Sequence, residues 1–210
     1  MKLADVDLLH SAVIVIDVQN DYCHENGGIA KAGRDVAPVQ RMVPNLMAFL
    51  PQARQLKVPI IHVRTEHGEW TNSPSWVKRF PGASRGLLKP GSWGAEFYMV
   101  LPEPGDCIVT KHRYTAFLDT DLDVTLRSQG IRTVVLAGCA TSICVESTAR
   151  DAFNRDYYVV VLNDCVAAYS MQMHQASLAV LGEFFGAVVN SQELVEAWRS
   201  GGPLLGQKGG

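Results

Sequence analysis

The chain has 210 residues, 47% of them hydrophobic and 19% charged, with a formal net charge of −2. That is enough chain to bury a full core, and residues 1–210 read as a single domain with no repeat or linker to divide them. Lys and Arg are scattered, so no electrostatic feature favours nucleic acid or a membrane surface as partner; a small uncharged or mildly anionic molecule fits better.

The predicted elements alternate along the chain. Ala12 to Ile16 (AVIVI) is a β-branched strand, followed by a polar, Gly-containing loop to about Asp35. Val39 to Leu56 has helical periodicity, with Leu46, Phe49, Leu50 and Ala53 on one face. Pro59 to Val63 is a second strand. A long irregular stretch from Arg64 to Pro104 holds most of the Pro, Gly and Trp. Next come a strand at Cys107 to Thr110, a helix at Asp121 to Gln129 and a strand at Thr133 to Ala137. A helix from about Ile143 to Arg155, a strand at Tyr158 to Leu162 and a helix at Gln172 to Glu183 follow. A short strand at Ala187 to Val189 and a helix at Gln192 to Arg199 end the pattern. Strands that are apolar without alternation, separated by helices, lie in a parallel sheet covered on both faces. The expected fold is therefore α/β: a three-layer, doubly wound sheet of about six parallel strands. In such sheets ligands bind beyond the carboxyl ends of the strands, where the strand order reverses.

Three groups at expected strand ends bear on chemistry. Asp17 is the first polar residue after AVIVI, and from position alone a turn or cap role is as good a reading. Lys111 follows the strand CIVT, and taken singly it reads as a surface lysine. Cys144 stands where a helix begins, facing unpaired N–H groups and the positive dipole end, both of which favour a thiolate. The competing reading is a small buried hydrophobe, which suits Cys107, Cys139 and Cys165 (the last in a loop) better. Together, the carboxylate is suited to take a thiol proton, the ammonium to hold the resulting charges, and the N–H groups around Cys144 to form an oxyanion hole.

Five cysteines without regular spacing do not form a disulfide framework, and residues 1–10 carry no signal-peptide pattern, so a reducing, cytoplasmic setting is expected. The longest apolar runs are strand-sized, too short to span a membrane. A dinucleotide cofactor would need a G-x-G-x-x-G turn after the first strand; Asp17-Val18-Gln19-Asn20-Asp21-Tyr22 has no glycine.

The segments AVIVIDVQNDY (12–22), KHRYTAF (111–117) and GCATSICVESTARDAF (138–153) resemble the isochorismatase-like cysteine hydrolases, and the likeness runs from Ala12 to about Trp198. The resemblance implies a triad of Asp17, Lys111 and Cys144, with Ala140, Thr141, Ile143 and Cys144 forming the oxyanion hole and a cis peptide between Ala140 and Thr141. It also implies thiolate attack on an amide carbonyl, a thioester intermediate and no cofactor. Within the family, KPGSW (89–93), PEPGD (102–106) and LRSQGI (126–131) are similar to the branch acting on ureidoacrylate, biuret or triuret. Ser142 departs from the Asn that ureidoacrylate-type sequences carry there, which leaves the substrate open among ureido and carbamoyl compounds. Nicotinamide-, maleamate- or N-carbamoyl-amino-acid-like amides are the alternatives, and a non-catalytic binding descendant is another.

Nicotinamidase relatives carry an Asp-x-His metal motif after the second strand. Here Glu66 and His67 are adjacent, and His62 with His67 makes no zinc pair, so no metal is expected. Gln19, Arg64 and Phe117 are candidates for substrate contact. Trp70, Trp76, Phe80 and Trp93, with Lys78, Arg79 and Arg85, line a pocket or bury against a neighbouring subunit; a homodimer or homotetramer is expected.

Overall fold

A computed structural model describes residues 6–80 and 86–200. Arg85 and the tail from residue 201 lie outside the described residues. The centre is a sheet of six strands, all parallel, in the order β3-β2-β1-β4-β5-β6. Its strands are β1 (Ser11–Ile16), β2 (Ile60–Thr65), β3 (Cys107–Lys111), β4 (Thr133–Cys139), β5 (Tyr158–Ala167) and β6 (Ala187–Val189). The helices are α1 (Asn20–Cys23), α2 (Gly28–Lys31), α3 (Ala37–Gln55), α4 (Pro74–Arg79), α5 (Leu122–Ser128), α6 (Glu146–Asn154), α7 (Met171–Phe184) and α8 (Ser191–Arg199).

β1 pairs with β2 on one side and β4 on the other, so all six of its residues are buried. A strand with both faces covered needs apolar side chains at every position, which is what SAVIVI supplies after Ser11. Successive residues feed opposite cores. Val13, Val15, Val135, Ala137, Val160 and Leu162 pack with the buried stripe of α3 and with Leu194, Val195 and Trp198 of α8. Ala12, Ile14, Ile16, Val134, Leu136, Val159 and Val161 pack with Leu122 and Leu126 of α5, Ala149 and Ala152 of α6 and Leu181 of α7. Among the described residues, no helix is long and apolar enough to cross a membrane.

The expected strands all form, but four run further, β3 by a single residue to Lys111. β2 extends to Thr65 and β4 to Cys139; β5 continues to Ala167, so Cys165 lies on a strand and not in a loop. The last extension follows a register shift between Leu136 and Gly138, after which Gly138 pairs with Val166 and Cys139 with Ala167. Such a shift breaks the simple apolar pattern, and Asn163 and Asp164 on β5 look like a turn in sequence. The short helices α1, α2 and α4 interrupt stretches expected to be irregular. Four to six residues are too few to show a helical period.

Sheet order reverses between β1 and β4: the chain runs outward from β1 through β2 to β3, then crosses back to β4. The crevice beyond the carboxyl ends of β1 and β4 is therefore the place for chemistry.

Candidate active site

Asp17 follows β1, Thr65 ends β2, Lys111 ends β3, and Cys144 sits in a π-helical turn, Thr141–Val145, that joins β4 to α6. All four line or border one cavity of about 350 Å³. Lys111 is completely buried despite its length and charge. Its Nζ lies 2.8 Å from Asp17 Oδ2 and donates to Thr65 Oγ1 (2.7 Å), the Arg113 carbonyl (2.9 Å) and Cys144 Sγ (3.5 Å). The Thr65 hydroxyl in turn donates to Asp17 Oδ1 at 2.8 Å. Asp17 Oδ2 therefore has a cation beside it but accepts no hydrogen bond of ordinary geometry. It is the carboxylate oxygen with no hydrogen bond committed to it, and so the freer of the two to receive a proton.

Asp17 holds a left-handed backbone conformation (φ 55°), which a non-glycine residue adopts at a cost on the order of 1 kcal/mol. The surroundings fix it. Its N–H donates to the Val63 carbonyl (2.9 Å), and its carbonyl accepts from Gln19 N–H (2.9 Å) and from Cys139 Sγ (3.2 Å).

The electrostatics differ from the expectation at Cys144. Burial pushes its thiol well up, Lys111 pulls it back down, and the Asp17 charge raises it again. Cys144 is the fourth residue of the helical run that starts at Thr141 and is only 4% exposed, so loss of water outweighs the pull of the helix start. The resting site thus holds a neutral thiol. Lys111 loses charge stability to burial, but the Asp17 carboxylate beside it restores it and leaves it firmly an ammonium.

The non-proline cis peptide is Cys139–Ala140, one bond earlier than the expected Ala140–Thr141. The Ile143 N–H donates to the Ala140 carbonyl (3.0 Å), as does Val145 N–H (3.2 Å), so Ile143 is engaged in shaping the turn. Thr141 Oγ1 is bonded to His174 Nδ1 (2.9 Å), tying the turn to α7.

The three candidate substrate contacts lie away from the cavity lining. Gln19 is buried and spends its amide on backbone: Nε2 donates to the carbonyls of Thr65 (2.9 Å) and Ala95 (2.8 Å), and Oε1 accepts from Thr65 N–H (2.8 Å). Arg64 pairs with Thr110 Oγ1 (3.0 Å) and Glu66 (3.3 Å). Phe117 is a core residue stacked on Tyr157 with ring centroids 5.8 Å apart. Residues that do line the cavity include Tyr22, Tyr114 and Tyr169. Burial raises all three hydroxyls, which keeps them neutral. Tyr22 and Tyr114 fall inside the sequence motifs. Tyr169 follows β5 and carried no signal, because the strand was expected to end sooner.

The Trp-rich stretch divides. Trp76, Arg79 and Phe80 line the cavity, whereas Trp70 is 98% exposed and Trp93 is 46% exposed. Among the described residues no three His, Cys, Asp or Glu side chains gather as a metal site. His62 Nε2 faces Asp106 (3.1 Å). His67 is buried between Trp76 and Phe80, with ring centroids at 5.7 and 5.5 Å, and neither of its ring nitrogens is bonded. Burial, then the charges of Lys111, His112 and Arg113, lower its pKa from 6.5 to about 4. The folded protein therefore resists a proton that the unfolded chain accepts. Above about pH 6.5 His67 costs nothing, and below it stability is lost progressively until about pH 4, by up to ~3 kcal/mol. Urea unfolding at pH 7 and pH 4.5 should show His67→Gln losing about 2 kcal/mol less than the parent across that interval.

The six-stranded parallel sheet with a thiol, a lysine and a carboxylate buried together beyond its strand ends is a doubly wound α/β domain, and comparison with known proteins names its family. Residues 11–193 match the isochorismatase domain, and the chain belongs to that family. It is 37% identical over 193 residues to the ureidoacrylate amidohydrolase RutB of Methylobacterium radiotolerans, covering 84% of this chain and 74% of that protein. Among solved structures, a cysteine hydrolase from Pseudomonas syringae pv. phaseolicola superposes with a TM-score of 0.87 at 27% identity, covering 94% and 96% of the two chains. An N-carbamoylsarcosine amidase from Thermoplasma acidophilum gives 0.71 at 28% identity, covering 86% and 96%.

Proposed function

We propose that the protein is a cysteine amidohydrolase that cleaves a carbon–nitrogen bond in a small ureido or carbamoyl compound. The observation that carries this reading is the convergence of Asp17, Lys111 and Cys144 in one cavity, with Lys111 Nζ within 2.8 Å of the carboxylate and 3.5 Å of the thiol. Similarity to an ureidoacrylate amidohydrolase and to an N-carbamoylsarcosine amidase supports the substrate class.

The resting thiol is neutral, so its proton must move as the bond to carbon forms. Asp17 Oδ2 receives that proton while Cys144 Sγ attacks the carbonyl carbon. Lys111 stays charged throughout and holds the carboxylate in place before the transfer and the sulfur after it. The developing oxyanion is met by backbone N–H groups of the Thr141–Val145 turn, Cys144's own among them. Collapse expels the amine, which leaves with the proton held by Asp17. A water, losing its proton to Asp17, then attacks the carbonyl of the thioester, and as the carbon–sulfur bond breaks the Cys144 sulfur takes that proton back from Asp17. From a ureido substrate this second step yields a carbamate, which breaks down to ammonia and carbon dioxide.

Ammonia release from a panel of ureidoacrylate-like acids, N-carbamoyl amino acids, biuret, triuret, maleamate and nicotinamide tests the reading. Release from a ureido or carbamoyl compound is expected, with turnover falling by a factor on the order of 10³ or more in Cys144→Ala. Release from nicotinamide or maleamate alone would overturn the substrate class, and undiminished release by the variant would overturn the mechanism.

A further inference from the structure

Three arginines line the cavity, Arg34, Arg79 and Arg113, and no Asp or Glu is in the lining with them. Lys111, also in the lining, is already matched by Asp17. Arg113 is held as part of the wall: its Nη1 donates to the carbonyls of Thr71 (3.0 Å) and His112 (2.7 Å), and its guanidinium lies 4.9 Å from the centre of the Trp76 ring. Arg34 and Arg79 differ, because neither forms an ion pair with any carboxylate among the described residues.

Both arginines are carried by segments that contribute further residues to the lining, Ile29 beside Arg34 and Trp76 and Phe80 beside Arg79. Arg79 is the last residue of α4, whose Trp76 lies 4.8 Å, centroid to centroid, from Tyr114 on the opposite segment. Arg34 follows α2 through Gly33 (φ 82°), a left-handed turn that only glycine adopts without strain. The start of α2 is anchored by the buried Asp21, whose Oδ1 accepts from Gly28 N–H (2.9 Å). The other oxygen of Asp21 accepts from the N–H of the buried Leu88 (2.7 Å).

We infer that Arg34 and Arg79 form an anion-binding rim, and that the substrate is a small carboxylate whose ureido or carbamoyl end reaches Cys144. This rests on the function proposed above and narrows it: acidic ureides are substrates, and uncharged ones such as biuret are poor. Guanidinium groups beside a low-dielectric aromatic wall of Trp76, Phe80 and Tyr114 bind a carboxylate far better than they bind a neutral amide. An arginine pair left unneutralised at the mouth also draws anions in before they are bound.

The test uses a ureido monocarboxylate, 3-ureidopropionate, and its primary amide, which differs only in charge. Arg34→Gln, Arg79→Gln and the double variant are compared with the parent by kcat and KM. The double variant should raise KM for the acid at least about tenfold with kcat within about threefold, and leave kcat/KM for the amide within about threefold. Arg→Lys at both positions should recover part of the loss for the acid. Equal weakening of acid and amide, or an unchanged KM for the acid, would overturn the assignment. Calorimetry on Cys144→Ala separates this from the chemistry, because binding is read without turnover. There the acid should bind at least about tenfold more weakly once both arginines are Gln, and an unchanged Kd would overturn the rim even if hydrolysis is confirmed. If the parent hydrolyses neither compound, the ammonia-release panel decides the reaction, while the same titration still decides the rim.

Discussion

Replacing Asp17 with Asn is expected to lower turnover by a factor on the order of 10³–10⁴ and to destabilise the fold as well. The catalytic loss follows from the resting state of the thiol. Burial holds Cys144 protonated, and the carboxylate oxygen beside Lys111 is the acceptor with no hydrogen bond already committed to it. An amide in its place cannot accept the proton, nor return it to the leaving amine. The stability loss follows from Lys111, which is fully buried and would keep its three donor contacts but lose its counter-charge. Removing one partner of a buried pair costs about 3–5 kcal/mol, because the remaining charge is left uncompensated. The double variant Asp17→Asn with Lys111→Met should regain most of that stability in urea unfolding and none of the activity. Stability and catalysis would thereby be separated at one site.

Gly138→Ala should cost more than 3 kcal/mol, or prevent folding altogether. At φ 107° Gly138 adopts a conformation that side chains rarely tolerate, and an added Cβ would stand 2.0 Å from the Ile16 carbonyl oxygen. That oxygen belongs to β1, the central strand, which cannot retreat because β2 pairs with its other edge. The same glycine precedes Cys139 and the turn that carries Cys144, so any relief by backbone shift displaces the Cys144 thiol. A folded but inactive protein, or a large drop in the midpoint of urea unfolding, is the expected result.

The order of strands and helices was readable from sequence because each core strand is an unbroken apolar run and each long helix carries one buried stripe. Asp17 and Lys111 were placed at strand ends and Cys144 at a helix start, but it was the family resemblance that joined the three into one set. Thr65, which bridges Asp17 and Lys111, follows the same rule and was hidden only because β2 was expected to stop at Val63. Gln19 illustrates the opposite error. A polar residue two positions past the Asp17 carboxylate invites a substrate role, yet its amide closes the backbone between β1 and β2. The thiol's protonation state was also out of reach, since it depends on how completely the surrounding loops exclude water. Those loops, α1, α2 and α4 with their connections, have little periodicity of their own and take their shape from contacts such as Asp21 with Gly28 and Leu88.

The most direct test of the account is the intact mass of the protein after acid quench during turnover of a slowly cleaved ureido acid. The account predicts a transient added mass equal to a carbamoyl group, located on the peptide bearing Cys144 and absent from Cys144→Ala. Hydrolysis by that variant at the parent's rate, with no adduct on the parent at any time, would contradict it.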